Sequence, residues 1–267
     1  MTVSGSAGRQ GARTDLELGG PLFVYGVVRR DGNDRRVVDE LTGVEGAPVQ
    51  LVEAGELAAA VTLVAADRPP GRRADLLAYQ SVLDALAEAG AVVPLRFGSV
   101  LPDADAVRGD LLAPDQERLG AILDRVGRCR QFNLRATHVE EAVLADLVTT
   151  DPEVRALRER TRDLPEEASY ADRVRLGELV VQALEDRSAH DGVELLNAVV
   201  PLTVDHVVRT PPSASQVLDV ALLVDPSRGR ELVDRLEGIA EAVHERIRLR
   251  LVGPLAPYDF VEEPGWG

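Results

Sequence analysis

From Gln131 onward the apolar residues change their spacing in a set succession, and that succession constrains the fold more than any other feature of the chain. Phe132, Leu134 and Ala136 alternate with Asn133, Arg135 and Thr137, the period of two expected of a half-buried strand. Helical blocks follow. The first runs from Val139 to Val148, and the second starts at Asp151-Pro152, with Asp as N-cap and Pro at the first helical position. The third spans Glu166 to Arg187, with Val174, Gly177, Val181 and Leu184 as its expected inward stripe. "GVELLNAVVPLTVDHVV" (Gly192 to Val208) reads as a strand region, and "QVLDVALLV" (Gln216 to Val224) as a buried strand. Asp225-Pro226 repeats the helix-start device ahead of Leu232, Leu236, Ile239 and Val243, and Ile247, Leu249 and Leu251 then alternate with Arg246, Arg248 and Arg250. Strand, helices, strand, strand, helix, strand is the ferredoxin-like βαββαβ order with an enlarged first crossover.

The preceding part carries its own strands and helices. "PLFVYGVV" (Pro21 to Val28) is an apolar strand, and a hairpin turns at Glu53 to Glu56. After "RPPG" (Arg68 to Gly71), a helix from Ala74 to Ala89 places Leu76, Tyr79, Leu83 and Leu86 at helical spacing. "VVPLRFGSV" (Val92 to Val100) reads as one strand with a charge at Arg96, and a helix bearing Leu119, Ile122, Leu123 and Val126 follows it. The expected class is therefore α+β in two domains. Residues 1–20 form a disordered tail, 21–129 an N-terminal α+β sheet domain, and 130–267 a ferredoxin-like domain with a helical insertion and a C-terminal tail.

Composition excludes several functions. A net charge of -15, with 3% aromatic residues, disfavours a phosphate-backbone binder or a base-stacking surface. All the basic residues are arginine, so a Walker lysine is impossible. Cys129 is the single cysteine, which excludes an internal disulfide framework and fits a reducing cytoplasm. His138, His190, His206 and His244 are scattered, with no ligand-like neighbour at helical spacing, so no metal site is expected. No segment has the apolar length of a membrane span, and the first twenty residues lack the core of a signal peptide. No catalytic residue and no cofactor is indicated, which leaves a scaffold or interaction role. An enzyme or small-ligand-binding protein on the ferredoxin-like domain is the alternative, and a nucleic-acid regulator using the Arg246, Arg248, Arg250 stripe a third.

Taken in order, "LFVYGVV", "VVPLRFGSV", "VLDVALLVD" (Val217 to Asp225) and "RLVGPLAPYDFV" (Arg250 to Val261) resemble the gas vesicle protein F/L family, from about Leu22 to Val261. The family usually shows His where Tyr79 stands, Asn-Ala in place of Asp219-Val220, and often Trp in place of Leu255. The resemblance implies a non-enzymatic, cytoplasmic, gas vesicle-associated accessory protein. Its implied partners are the apolar major shell protein and other accessory gas vesicle proteins, with no nucleic acid and no lipid membrane. It marks Arg96, Phe97, Gly98, Arg246, Arg248, Arg250, Pro257 and Tyr258 as structural or interaction candidates. Arg96 is expected to pin the architecture by reaching a carboxylate across the sheet or the domain seam.

Overall fold

The N-terminal sheet is organised around β1 (Leu22–Arg29), whose first seven residues are all buried. A computed structural model describes residues 18–31, 34–66, 71–210 and 215–261. The expected tail up to residue 17, the centre of "DGND", the Pro69-Pro70 stop, residues 211–214 of the loop before "QVLDVALLV" and the chain from 262 lie outside the described residues. A short helix, α1 (Asp34–Val38), leads to the hairpin of β2 (Gln50–Ala54) and β3 (Leu57–Leu63), which turns where the sequence places it, with Ala54 opposite Leu57. β3 runs antiparallel to β1 from Leu22↔Leu63 to Arg29↔Leu57. On the other side β1 pairs with β4 (Val92–Pro94) and β5 (Val100–Leu101), giving the order β2-β3-β1-β4 with β5 on β1.

Helices α2 (Arg73–Ala89) and α3 (Gln116–Val126) both pack on this sheet. The first turn of α2 is held by the Asp75 carboxylate, which accepts from the amides of Gly71 at 3.1 Å and Arg72 at 3.0 Å. Its Tyr79, Val82, Leu83 and Leu86 are buried in one core with Phe23, Tyr25 and Val28 of β1. α3 buries Leu119, Ile122, Leu123 and Val126. Each fully buried aliphatic side chain of this kind contributes roughly 1.5–3 kcal/mol of transfer free energy.

The second unit spans residues 131–254 and has a sheet of order β7-β8-β6-β9. Its strands are β6 (Arg130–His138), β7 (Asp205–Val208), β8 (Gln216–Val224) and β9 (Ile247–Leu255). All nine residues of β8 are buried, as expected of a central strand that is apolar apart from Gln216 and Asp219. Between β6 and β7 lie α4 (Glu140–Thr150), α5 (Pro152–Arg162) and α6 (Glu166–Val199), and α7 (Gly229–Val243) joins β8 to β9. Leu134, Leu195, Val199, Val220, Leu222, Leu232 and Leu236 share its core. Both Asp-Pro signals operate: Asp151 Oδ1 accepts from the Glu153 and Val154 amides at 2.8 and 3.1 Å, and Asp225 Oδ1 from Ser227 at 2.9 Å.

Four expectations change. "GVELLNAV" (Gly192 to Val199) is the last part of α6, a helix of 34 residues, Val200 begins a 3-10 turn, and only Asp205–Val208 is strand. Gly192, Leu195 and Val199 recur there at helical spacing and are buried, and a Cβ on Gly192 would lie 2.6 Å from the Val217 carbonyl, so the helix docks on β8 through a position only glycine fits. The expected inward stripe of α6 faces outward: Val174 and Val181 are 45% and 48% exposed. "VVPLRFGSV" is two short strands around a turn, not one strand. Finally, the segment from Leu255 belongs to the first unit, and the division falls after Arg130.

Candidate functional site

The chain has four phenylalanines and four tyrosines, and the first unit gathers most of them at one end of β1. Phe23 lies 5.0 Å from Tyr25, 6.0 Å from Tyr79 and 5.8 Å from Phe97 between ring centres, and Tyr79 meets Phe97 at 5.3 Å in an edge-on arrangement. Tyr258, from the returning C-terminal segment, packs against the same core and shares a hydrogen bond with Tyr79. The Tyr79 hydroxyl donates in turn to the Leu95 carbonyl. Tyr25 donates to Thr62 Oγ1 at 3.0 Å and accepts from the Val44 amide at 2.7 Å. Burial raises the pKa of Tyr25, Tyr79 and Tyr258, so all three stay neutral at physiological pH; for Tyr258 the bond to Tyr79 adds to the rise. Tyr79 is thus the hub joining α2, the turn after β4 and the C-terminal segment.

That hub carries a turn. Arg96 is exposed at its start and half-buried Phe97 anchors it. Gly98, at φ 92°, takes the left-handed conformation that lets the chain reverse, with no atom within 4 Å of its Cβ position. Ser99 closes the turn, its amide and hydroxyl donating to the Arg96 carbonyl at 3.1 and 2.8 Å. Gly98 therefore serves conformation, not close approach. Pro94 sits opposite Gly26 in the edge strand β4, where a missing amide costs no ladder bond. The turn thus holds exposed Arg96 on an aromatic footing. Pro257 is buried beside Tyr258, and Arg125 donates to the Phe260 carbonyl.

The structure separates the three arginines of the C-terminal stripe. Arg248 and Arg250 are exposed on β9, an edge strand, with no carboxylate in ion-pair reach among the described residues. Arg246 precedes the strand and points to α6, 3.4 Å from Asp191 Oδ1. The opposite edge, β7, differs in character. Val207 and Val208 are 36% and 52% exposed there and Val204, just before the strand, 60%, with exposed Asp205 and half-buried His206 between them and no arginine within the strand.

Two polar clusters escape sequence reasoning because their members lie far apart in the chain. The buried Asp219 carboxylate accepts from Arg135 at 2.8 and 3.2 Å, from Arg209 at 2.8 Å and from Gln216 at 3.2 Å. Burial alone would raise its pKa, but the two guanidinium groups outweigh burial and hold it below the ordinary carboxylate range. The second is a buried chain, Ser188–His138–Asp191, with the serine oxygen 3.3 Å from Nδ1 and the carboxylate 2.9 Å from Nε2. All three side chains are buried, so this chain ties α6 to the end of β6 and offers no substrate an approach to the hydroxyl. The described residues contain no group of three or more His, Cys, Asp or Glu arranged to hold a metal ion. A surface depression at Ala113–Arg118 is lined by one continuous segment and has no convergent chemistry.

The sequence model of the gas vesicle synthesis protein GvpL/GvpF family matches residues 21–262. The chain belongs to this family. It is 35% identical over 245 residues to gas vesicle protein F of Streptomyces sp. (strain CB03234), covering 90% of this chain and 99% of that one. It is 28% identical to gas vesicle protein L of the same strain, covering 89% and 91%. The crystal structure of GvpF from Anabaena sp. PCC7120 has the same fold, with a TM-score of 0.77 at 20% identity over 91% of this chain and 99% of that one. GvpF from Microcystis aeruginosa superposes at 0.73 with the same coverage. The segments that carry the family resemblance in the first unit, β1, the turn after β4 and Ala256–Phe260, all have residues in or against the aromatic hub, so there the family signature is an architectural one.

Proposed function

We propose that this chain is a minor accessory protein acting in the nucleation and assembly of gas vesicles. In this reading it works in the cytoplasm, without catalysis, by binding the apolar major shell protein and other accessory gas vesicle proteins. The family match over residues 21–262 carries the reading. Higher identity to protein F than to protein L of one Streptomyces strain supports an F-type role. A shell subunit apolar enough to exclude water from a gas space is prone to aggregate before assembly, and a partner with a net charge of -15 keeps the pair dispersed. We read the second unit as ferredoxin-like from its element order and its sheet order β7-β8-β6-β9.

The shell protein is proposed to add a strand to the β7 edge. Exposed charges are a usual defence of edge strands, and β9 has two in Arg248 and Arg250, whereas β7 has a single exposed charge, Asp205 at its start, followed by the exposed valines Val207 and Val208. Pull-down of the purified shell protein by the full chain tests this. Val207→Lys with Val208→Lys is expected to abolish capture while the melting temperature is kept. Capture undiminished by that pair, or no capture by the parent chain, refutes the edge as the site.

A further inference from the structure

We propose that the outer face of α6, from Tyr170 to Leu184, docks an amphipathic helix of a partner protein whose apolar stripe is bordered by lysine or arginine. Tyr170, Val174, Gly177 and Val181 lie at i, i+4, i+7 and i+11, so they share one face of the helix, and half-buried Leu184 continues the row. Tyr170, Val174 and Val181 are 68%, 45% and 48% exposed, on a stripe about 21 Å long. Gly177 sits in its middle with nothing within 4 Å of its Cβ position, which lets a second helix approach closely. The opposite face is already occupied. Ser169 is buried there, and Asp172 and Arg175 are tied to Arg160 and Glu153 of α5. The apolar stripe is therefore surplus to the packing of α4, α5 and α6.

The charges beside the stripe select the occupant. Glu167, Glu178 and Glu185 are exposed along one border, and among the described residues their basic contact is a loose 3.5 Å approach of Arg175 to Glu178. Along the other border stand Arg173 and Arg187, both engaged with this chain's own groups. Arg173 donates to Ser169 and to the Thr161 carbonyl, and Arg187 donates to Asp146 and the Val143 carbonyl. The border left to a partner is thus negative. A second copy fits poorly: antiparallel pairing sets glutamates against glutamates, and parallel pairing sets them against arginines already bonded elsewhere. A helix with a cationic border satisfies both the apolar and the charged requirements. This surface lies on a different element from the β7 edge and does not depend on the shell protein as ligand.

The test uses the full chain and a fluorescent helical peptide of about three heptads, with leucine at the a and d positions and lysine at e and g. Anisotropy titration is expected to show saturable binding, at least about tenfold weaker for a twin peptide with glutamate at e and g. Val174→Asp with Val181→Asp is expected to weaken the lysine peptide by about tenfold or more. Added carboxylates attract lysine, so that loss separates apolar docking from charge attraction. Glu178→Lys with Glu185→Lys is expected to weaken the lysine peptide and strengthen its twin. If the aspartate pair unfolds, Val174→Ser with Val181→Ser replaces it. Absence of saturable binding overturns the proposal, as does binding equal or tighter in the aspartate variant. A dimer of the parent chain that the aspartate variant dissolves, seen by sedimentation, overturns it in favour of a second copy.

Discussion

Replacing Asp219 with asparagine keeps the side-chain shape and isolates one charge in the second unit. The parent carboxylate accepts three hydrogen bonds from Arg135 and Arg209, two of them at 2.8 Å and one at 3.2 Å. The guanidinium side chains are 53% and 31% exposed while the carboxylate is 8% exposed, so solvent screens the donors but not the acceptor. A fully buried pair would lose about 3–5 kcal/mol on removal of one partner, and an exposed pair about 0–1. An asparagine oxygen still accepts one donor, which places the expected loss at about 1–2 kcal/mol at pH 7. For a chain of this size that lowers the melting temperature by about 2–8 °C. The pH dependence has a definite sign. The folded pKa lies below the unfolded value of about 3.9, so the unfolded state binds more protons and the contribution is full above that value. It declines as pH falls through the lower, folded pKa. Thermal melts of parent and Asp219→Asn across pH 3 to 7, followed by circular dichroism, are expected to show a difference that is constant above about pH 5 and shrinks toward pH 3. A difference independent of pH, or no difference at pH 7, refutes the assignment of Asp219 as a charge-dependent clamp.

Other expectations follow from packing. Gly192→Ala gains about 1 kcal/mol of helix propensity but forces a Cβ to 2.6 Å from the Val217 carbonyl, and the overpacking cost of about 1–3 kcal/mol should leave a net loss in denaturant titration. Tyr79→Phe keeps the ring contacts and deletes the hydroxyl between Tyr258 and the Leu95 carbonyl, so a loss of about 1–2 kcal/mol is expected by the same titration; a neutral result removes the hub role. Arg96→Ala tests the expected architectural pin: an ion pair at an exposed residue contributes about 0–1 kcal/mol, so a fall in melting temperature beyond about 4 °C supports the pin and an unchanged melting temperature removes it.

Most elements were legible from local chemistry. The two Asp-Pro starts, the turn between β2 and β3, the mainly apolar run of β8 and the helix around Tyr79 each carry a signal within a few residues, and the structure uses each one. What was not legible depends on distant neighbours. "GVELLNAVV" is rich in β-branched residues and precedes a proline, which locally favours a strand. Helix already propagating from Glu166, together with the groove over Val217 that accepts Gly192, decides otherwise. In "VVPLRFGSV" the apolar alternation runs on to Gly98 and masks the turn, although a glycine able to take a positive φ is itself a turn signal.

The misreading of α6 has a different cause, and it bears on function. Helical periodicity identifies a face without saying what covers it. The rows Val174, Gly177, Val181 and Ser169, Leu176, Ala183 both repeat at helical spacing, and the first is the more apolar by sequence. Yet the side tied to α5 is the other one, because Arg160 pairs with Asp172, Glu153 with Arg175, and Arg173 donates to the Thr161 carbonyl, and these bonds fix which side the hairpin closes on. A chain selected only for its own stability would place its better apolar row inside. Leaving that row in water carries a solubility cost that an internal packing role cannot justify, whereas a helical partner with a cationic border would cover it and meet Glu167, Glu178 and Glu185 at the same time.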